Sequence, residues 1–370
     1  MAFDDNLKKE LEAQSEKAKV DLERLQNTKV HVALIGESGS GKSSLVNAIV
    51  GCKVAKTGGT GETTQEAQEI PHQDVDGLVF WDLPGCGTPN HPRDTYIDKQ
   101  GLLNNFDVFI LVTDKRIREG DEWLYRKLHQ EKHRQIFVVR THFDNVVDEM
   151  SEAEARSMIV NDIRSQLKDK TLEPYIVALK GGRTYDLPKL LTNILGCLEG
   201  LKQEKAILGF AAYGSEELLR KKRVAAEKIV WQYSLLSAAN GLNPIPGLDV
   251  SVDVGFLLTM ARQIISAYGL RSDQIDFAGR GSMAASALQA IREIAKPFAE
   301  YLAKEAVLLL LKRMGTTMSA KSVTKWAPFV GQAVAASLGY GLTSYFGSQL
   351  IDECEKAARK VAETVHSGLD

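Results

Sequence analysis

The chain has 370 residues, 44% of them apolar and 25% charged, with a net charge of −2. That length points to two domains rather than one, and the balance is that of a soluble globular protein without the basic excess of a nucleic-acid binder. Cys52, Cys86, Cys197 and Cys354 lie far apart with no CxxC pair, which excludes a metal or disulfide frame and fits a reduced, cytoplasmic setting.

The opening residues, MAFDDNLKKELEAQ, hold no apolar core and no cleavage site, and position 2 is alanine. The expectation is therefore a protein that is neither secreted nor N-myristoylated. Within residues 4–27, Leu7, Leu11, Ala18, Leu22 and Leu25 fall on one face of a helix. So polar a helix is marginal alone and must dock on something.

From residue 28 to about 200, short apolar runs alternate with amphipathic stretches. The runs are VHVALI (30–35), GLVFWDL (77–83), FDVFILVT (106–113), RQIFVVRT (134–141) and PYIVAL (174–179). Strands apolar on both faces, separated by helices, predict a doubly wound α/β domain with a parallel sheet. The predicted helices are GKSSLVNAIVG, GDEWLYRKLHQEKH, SEAEARSMIVNDIRSQL and DLPKLLTNILGCLEGL. After residue 201 the strands stop and long helical patterns take over, broken at NPIPGLDV by Pro244, Pro246 and Gly247. The expected organisation is an N-terminal helix (1–27) joined to an all-α C-terminal domain (201–370), with an α/β domain (28–200) between.

The stretch Gly36-Glu37-Ser38-Gly39-Ser40-Gly41-Lys42-Ser43, followed by Ser44, fits GxxxxGK[ST] between a strand and a helix. Glycines let backbone N–H groups converge on phosphate oxygens, Lys42 carries charge to the β/γ-phosphates, and Ser43 offers a hydroxyl to Mg²⁺. Asp82 ends a strand in FWDLPG, where an acidic residue orients the Mg²⁺ shell and Gly85 can follow the γ-phosphate. The pair of motifs points to a guanine nucleotide. The intervening TGGTGETTQEAQ (57–68) reads as a loop, in which Thr64, or Thr63 beside it, would sense Mg²⁺ and γ-phosphate.

Thr141-His142-Phe143-Asp144 follows a strand at the place of [NT]KxD. Asp144 would accept two guanine N–H groups, and His142 stands where lysine is usual. A third base contact is expected from LKGG, at Lys180 or Gly181. Cys86 stands directly after DxPG, where a glutamine would orient the attacking water, so water must be positioned otherwise. Glu62 is the internal candidate; a solvated loop acid is the plain alternative.

Three further features invite plain readings. His129 and His133 are spaced as a metal pair but read as a solvated helix face. So does the basic run Arg220–Arg223, which could otherwise meet anionic lipid. Residues 326–351 carry no charge and could span a bilayer, but read better as helices buried in a bundle.

GESGSGKSSLVNAI, VFWDLPGCGTPN, VVRTHFD, TYDLPKLLTNIL and above all SAANGLNPIPGLDVSVDVG together resemble the immunity-related, interferon-inducible GTPases of the GKS type. The resemblance runs over nearly the whole chain. It implies a Ras-like P-loop GTPase domain set between an N-terminal helix and a C-terminal helical domain, binding GTP or GDP with Mg²⁺. It also implies that Glu62 and Thr64 act when two GTP-bound copies meet, and that the protein works peripherally on intracellular membranes in cell-autonomous immunity. A GTP-gated scaffold or membrane-remodelling protein with negligible turnover is the alternative.

Overall fold

A computed structural model describes residues 5–56, 66–147, 150–179, 184–212, 214–242, 249–278 and 332–367, with short helical pieces between 289 and 297. The chain opens with helix α1 (Asp5–Asn27) and strand β1 (Val30–Ile35), followed by α2 (Lys42–Val50). Strands β2 (Gln68–Pro71) and β3 (Leu78–Asp82) come next, then short helices α3 (Arg93–Lys99) and α4 (Leu102–Asn105). β4 (Val108–Thr113), α5 (Glu119–Tyr125) with a π-helical turn (Arg126–Glu131), β5 (Ile136–Arg140), α6 (Asp144–Val147), α7 (Glu152–Leu167) and β6 (Tyr175–Ile176) complete the sheet.

The sheet order is β2-β3-β1-β4-β5-β6. Every pairing is parallel except β2 with β3, which is antiparallel, with Gln68 opposite Asp82. This corrects the expectation of a purely parallel sheet. β2 is a polar strand on the edge, so it carries no apolar signature, and its N-terminal end lay inside the stretch read as loop.

Alternation along β1 covers both faces. Val32 and Leu34 enter one buried cluster with Leu45, Ile49, Leu190 and Ile194; Ala33 and Ile35 enter another with Phe109, Leu124, Ile159 and Ile163. Each fully buried Val, Leu or Ile contributes about 1.5–3 kcal/mol. The strand order reverses at β1, and a crevice at such a switch point, outside the carboxyl ends of the strands, is where doubly wound sheets take ligands.

Beyond the sheet lie α8 (Leu187–Gly196), α9 (Gly200–Gly209), α10 (Glu216–Leu242), α11 (Asp249–Ala267), α12 (Ser272–Ala278) and a final long helix, α13 (Gln332–Ser367). Residues 186–201, expected as one helix, belong to two, broken between Gly196 and Gly200. A third cluster joins Ile229, Tyr233, Leu257, Ile264, Phe346 and Ile351 from α10, α11 and α13, with Leu22 of α1 against it. Ala18 and Leu25 of α1 are buried, so the seam from Ala18 to Leu25 docks as its spacing predicted. The fold is a Ras-like P-loop α/β sheet extended by helices from both parts of the chain.

Two plain readings need correction. The run Arg220–Arg223 is not a solvated face: Lys222 is fully buried and donates to the Ile207 carbonyl at 2.7 Å, while Arg223 pairs with Glu227, Asp352 and Glu355. The histidines do not share a helix face, because the π turn ends at Glu131 and His133 has φ 53°. From Gln332 onward the uncharged segment is part of α13, with Phe346, Leu350 and Ile351 buried; Trp326 to Gly331 lie outside the described residues. Among the described residues no helix is long and apolar enough to cross a membrane.

Candidate functional site

The turn between β1 and α2 is built on glycine where nothing else fits. Gly36 has φ +136°, and a Cβ there would sit 2.1 Å from the Val112 carbonyl oxygen. Gly41 caps α2 at φ 95° and places no side-chain cap on its first turn, so the N–H groups of Ser43 and Ser44 have no partner within the helix. Glu37 is half-buried, Ser38 and Gly39 are exposed, and Ser40 is buried.

Lys42 folds back over this turn. Its ammonium donates to the carbonyls of Gly36 at 2.8 Å and Glu37 at 2.9 Å, and lies 3.4 Å from Asp82 Oδ1 at the end of β3. The side chain is only 6% exposed, so its charge is desolvated and held in one place.

The loop after β3 is fastened from below. Tyr96, fully buried, donates its hydroxyl to the Pro84 carbonyl at 2.5 Å, and Thr88 donates to the Gly85 carbonyl at 3.3 Å. Cys86 is buried, and burial pushes its thiol up to about 12, so it presents neither an exposed hydrogen-bonding group nor a thiolate. Gly120 lies against it: a Cβ there would come 2.0 Å from the Cys86 carbonyl oxygen. Asp121, one residue on, is buried; burial pushes its carboxyl up to about 6 against the pull of Lys42 and Arg118. Arg118 pairs with Glu37 across the rim, and Arg93 with Glu119 at 2.9 Å.

At the other end of the crevice, Thr141 is buried and donates its hydroxyl to the Ser40 carbonyl at 2.7 Å. His142 has φ 55°, and its Nδ1 lies 3.0 Å from Thr141 Oγ1. With the threonine proton committed to Ser40, the imidazole donates from Nδ1 to the threonine oxygen. Asp144 opens α6 with Oδ1 buried and without a hydrogen-bond partner among the described residues. An acceptor so placed is costly unless a ligand completes it.

The structure thus brings Gly36–Ser44, Asp82, Gly85, Thr141, His142 and Asp144 to one edge of the sheet. Glu62, Thr63, Thr64, Lys180 and Gly181 lie outside the described residues. Sequence reasoning missed Tyr96, Arg118 and Asp121. The last is one acid among Glu119, Asp121 and Glu122, and only its burial separates it from its neighbours.

A family model of interferon-inducible GTPases (IIGP) matches residues 6–287. The chain belongs to the interferon-inducible GTPase family. Within the family, Interferon-inducible GTPase 5 of Rattus norvegicus is 25% identical over 354 residues, covering 91% of this chain and 75% of that protein. Interferon-inducible GTPase 1 of Mus musculus is 28% identical over 248 residues, covering 63% of this chain and 59% of that protein. Among solved structures, a variant Era of Aquifex aeolicus bound to GDP and AlF4− is 20% identical, covers 57% of this chain and 71% of that one, and gives a TM-score of 0.35.

Proposed function

We propose that this chain binds GTP and GDP at the edge described above and hydrolyses GTP, slowly alone and faster when GTP-bound copies associate. The observation that carries the reading is the pairing of a desolvated Lys42, fixed at two carbonyls beside Asp82, with an acceptor left open on Asp144. Lys42 and the N–H groups of the Gly36–Ser44 turn hold phosphates, and Asp144 receives the guanine N–H pair.

Ser43, Asp82 and Thr64 would hold Mg²⁺; hydroxyl and carboxylate oxygens suit a hard cation, and Asp82 already stands beside the turn. When bound, that ion neutralises charge building on the phosphates. Cys86 is buried and does not orient water, so Glu62 or a second copy does. Family membership supports GTP-dependent self-association and work at intracellular membranes in cell-autonomous immunity.

GTP turnover per molecule, measured across a wide range of protein concentration with light scattering alongside, is expected to rise with concentration. A flat rate removes self-activation, and binding without turnover at any concentration favours a GTP-gated scaffold. Asp144→Asn is expected to shift preference toward xanthosine nucleotides; unchanged GTP preference would remove the guanine assignment.

A further inference from the structure

Asp144 sits on a helix of one turn, and α6 cannot hold a carboxylate in register by itself. What stands behind it is a side chain from another helix. Phe143, the residue before Asp144, is fully buried and turned into the core. Its ring meets Tyr185 edge to face, with centroids 4.9 Å apart and planes at 84°. Tyr185 has φ 46°, a left-handed backbone that a tyrosine keeps only where its surroundings impose it.

Arg156 of α7 lies against both rings. Its guanidinium carbon lies 5.4 Å from the Phe143 ring centroid and 5.8 Å from that of Tyr185. The same group donates to both Asp186 oxygens, at 3.2 and 2.9 Å, while Nε donates to Glu152 at 3.1 Å. Asp186 is fixed in turn, because its Oδ2 accepts the Ile176 N–H at 2.9 Å and its own N–H donates to the Ile176 carbonyl at 3.1 Å. One planar cation therefore joins Phe143, which leads into Asp144, to Tyr185 and Asp186, which follow β6.

We propose that Arg156 is a positioning residue for base selectivity: it aligns Asp144 through Phe143, Tyr185 and Asp186 without touching the nucleotide. The inference rests on the guanine reading of Asp144. A bidentate contact to two N–H groups fails if the carboxylate turns, whereas a contact to one N–H survives. A salt bridge that served only stability would not distinguish the two.

The probes are GDP and inosine diphosphate, which keeps the ring N–H and lacks the 2-amino group. Their dissociation constants are measured by titration on the full chain, for the wild type, Arg156→Met and Arg156→Lys. The wild type is expected to prefer GDP. In Arg156→Met, GDP affinity is expected to fall about tenfold while inosine diphosphate affinity holds, so the ratio approaches one. Arg156→Lys keeps the charge but not the planar fork, and gives an intermediate ratio even if the methionine variant fails to fold. A GDP to inosine diphosphate ratio unchanged in the folded variants overturns the proposal, whether or not both affinities fall. A wild type that does not prefer GDP overturns the guanine reading instead.

Discussion

The hydroxyl of Thr141 reaches across the sheet edge to the carbonyl of Ser40, 101 positions away in sequence, at 2.7 Å. It joins the end of β5 to the Gly36–Ser44 turn, so the part that would read a base and the part that would hold phosphates move as one. Thr141→Val leaves the buried Ser40 carbonyl without that donor. Expected are a loss of about 1–3 kcal/mol in urea denaturation and weaker GDP binding, with Thr141→Ser close to wild type. Indistinguishable serine and valine variants would show the link to be idle.

Gly120 is in the first turn of α5, where alanine would normally add about 1 kcal/mol of stability. Here the methyl meets the Cys86 carbonyl, a backbone atom that can yield only if the loop after Asp82 shifts. Gly120→Ala is expected to lower stability by about 1–3 kcal/mol and to slow single-turnover GTP hydrolysis more than it weakens GDP binding. Thermal melting and rapid-quench kinetics check the two halves separately.

Lys222 spends one donor on Ile207 and is otherwise enclosed, and burial pulls its ammonium down to about 7. Between pH 7 and 10.5 the unfolded chain holds the extra proton, so stability rises with pH across that window. Lys222→Met should stabilise the protein at neutral pH by about 1–4 kcal/mol and flatten that rise. Denaturation curves at several pH values measure both.

His72 works at the acid end. It donates from Nε2 to the Gly209 carbonyl at 3.0 Å and accepts the Asp74 and Val75 N–H groups on Nδ1, which fixes the neutral ring. Burial pulls its pKa down to about 4, so its contribution is complete above pH 6.5 and is lost as pH falls toward 4, by about 3 kcal/mol at most. His72→Asn should be weaker at neutral pH yet lose less on acidification.

The four central strands were legible because each is apolar on both faces, and the glycine turn because its spacing has few other uses. β2 was not, since an edge strand pairs on one side only and Gln68–Pro71 carries no apolar signal. α3 escaped for a related reason: within Arg93–Lys99 only Tyr96 is buried. Lys222 could have been found, because Leu218, Lys222, Ala225 and Ile229 keep a helical stride through the charged run and share the buried side of α10. Arg156 could not, because Phe143 on one side and Tyr185 and Asp186 on the other come from two separate segments and meet it only in the fold.

The resting place of Lys42 bears on how tightly such a turn can hold an anion. A lysine in open solvent loses rotamer freedom and hydration when it meets a phosphate, and both losses weaken the complex. With its ammonium already at the Gly36 and Glu37 carbonyls, those losses fall on the folding of the chain. The turn is thus preorganised, and an arriving phosphate meets a charge whose ordering is already complete.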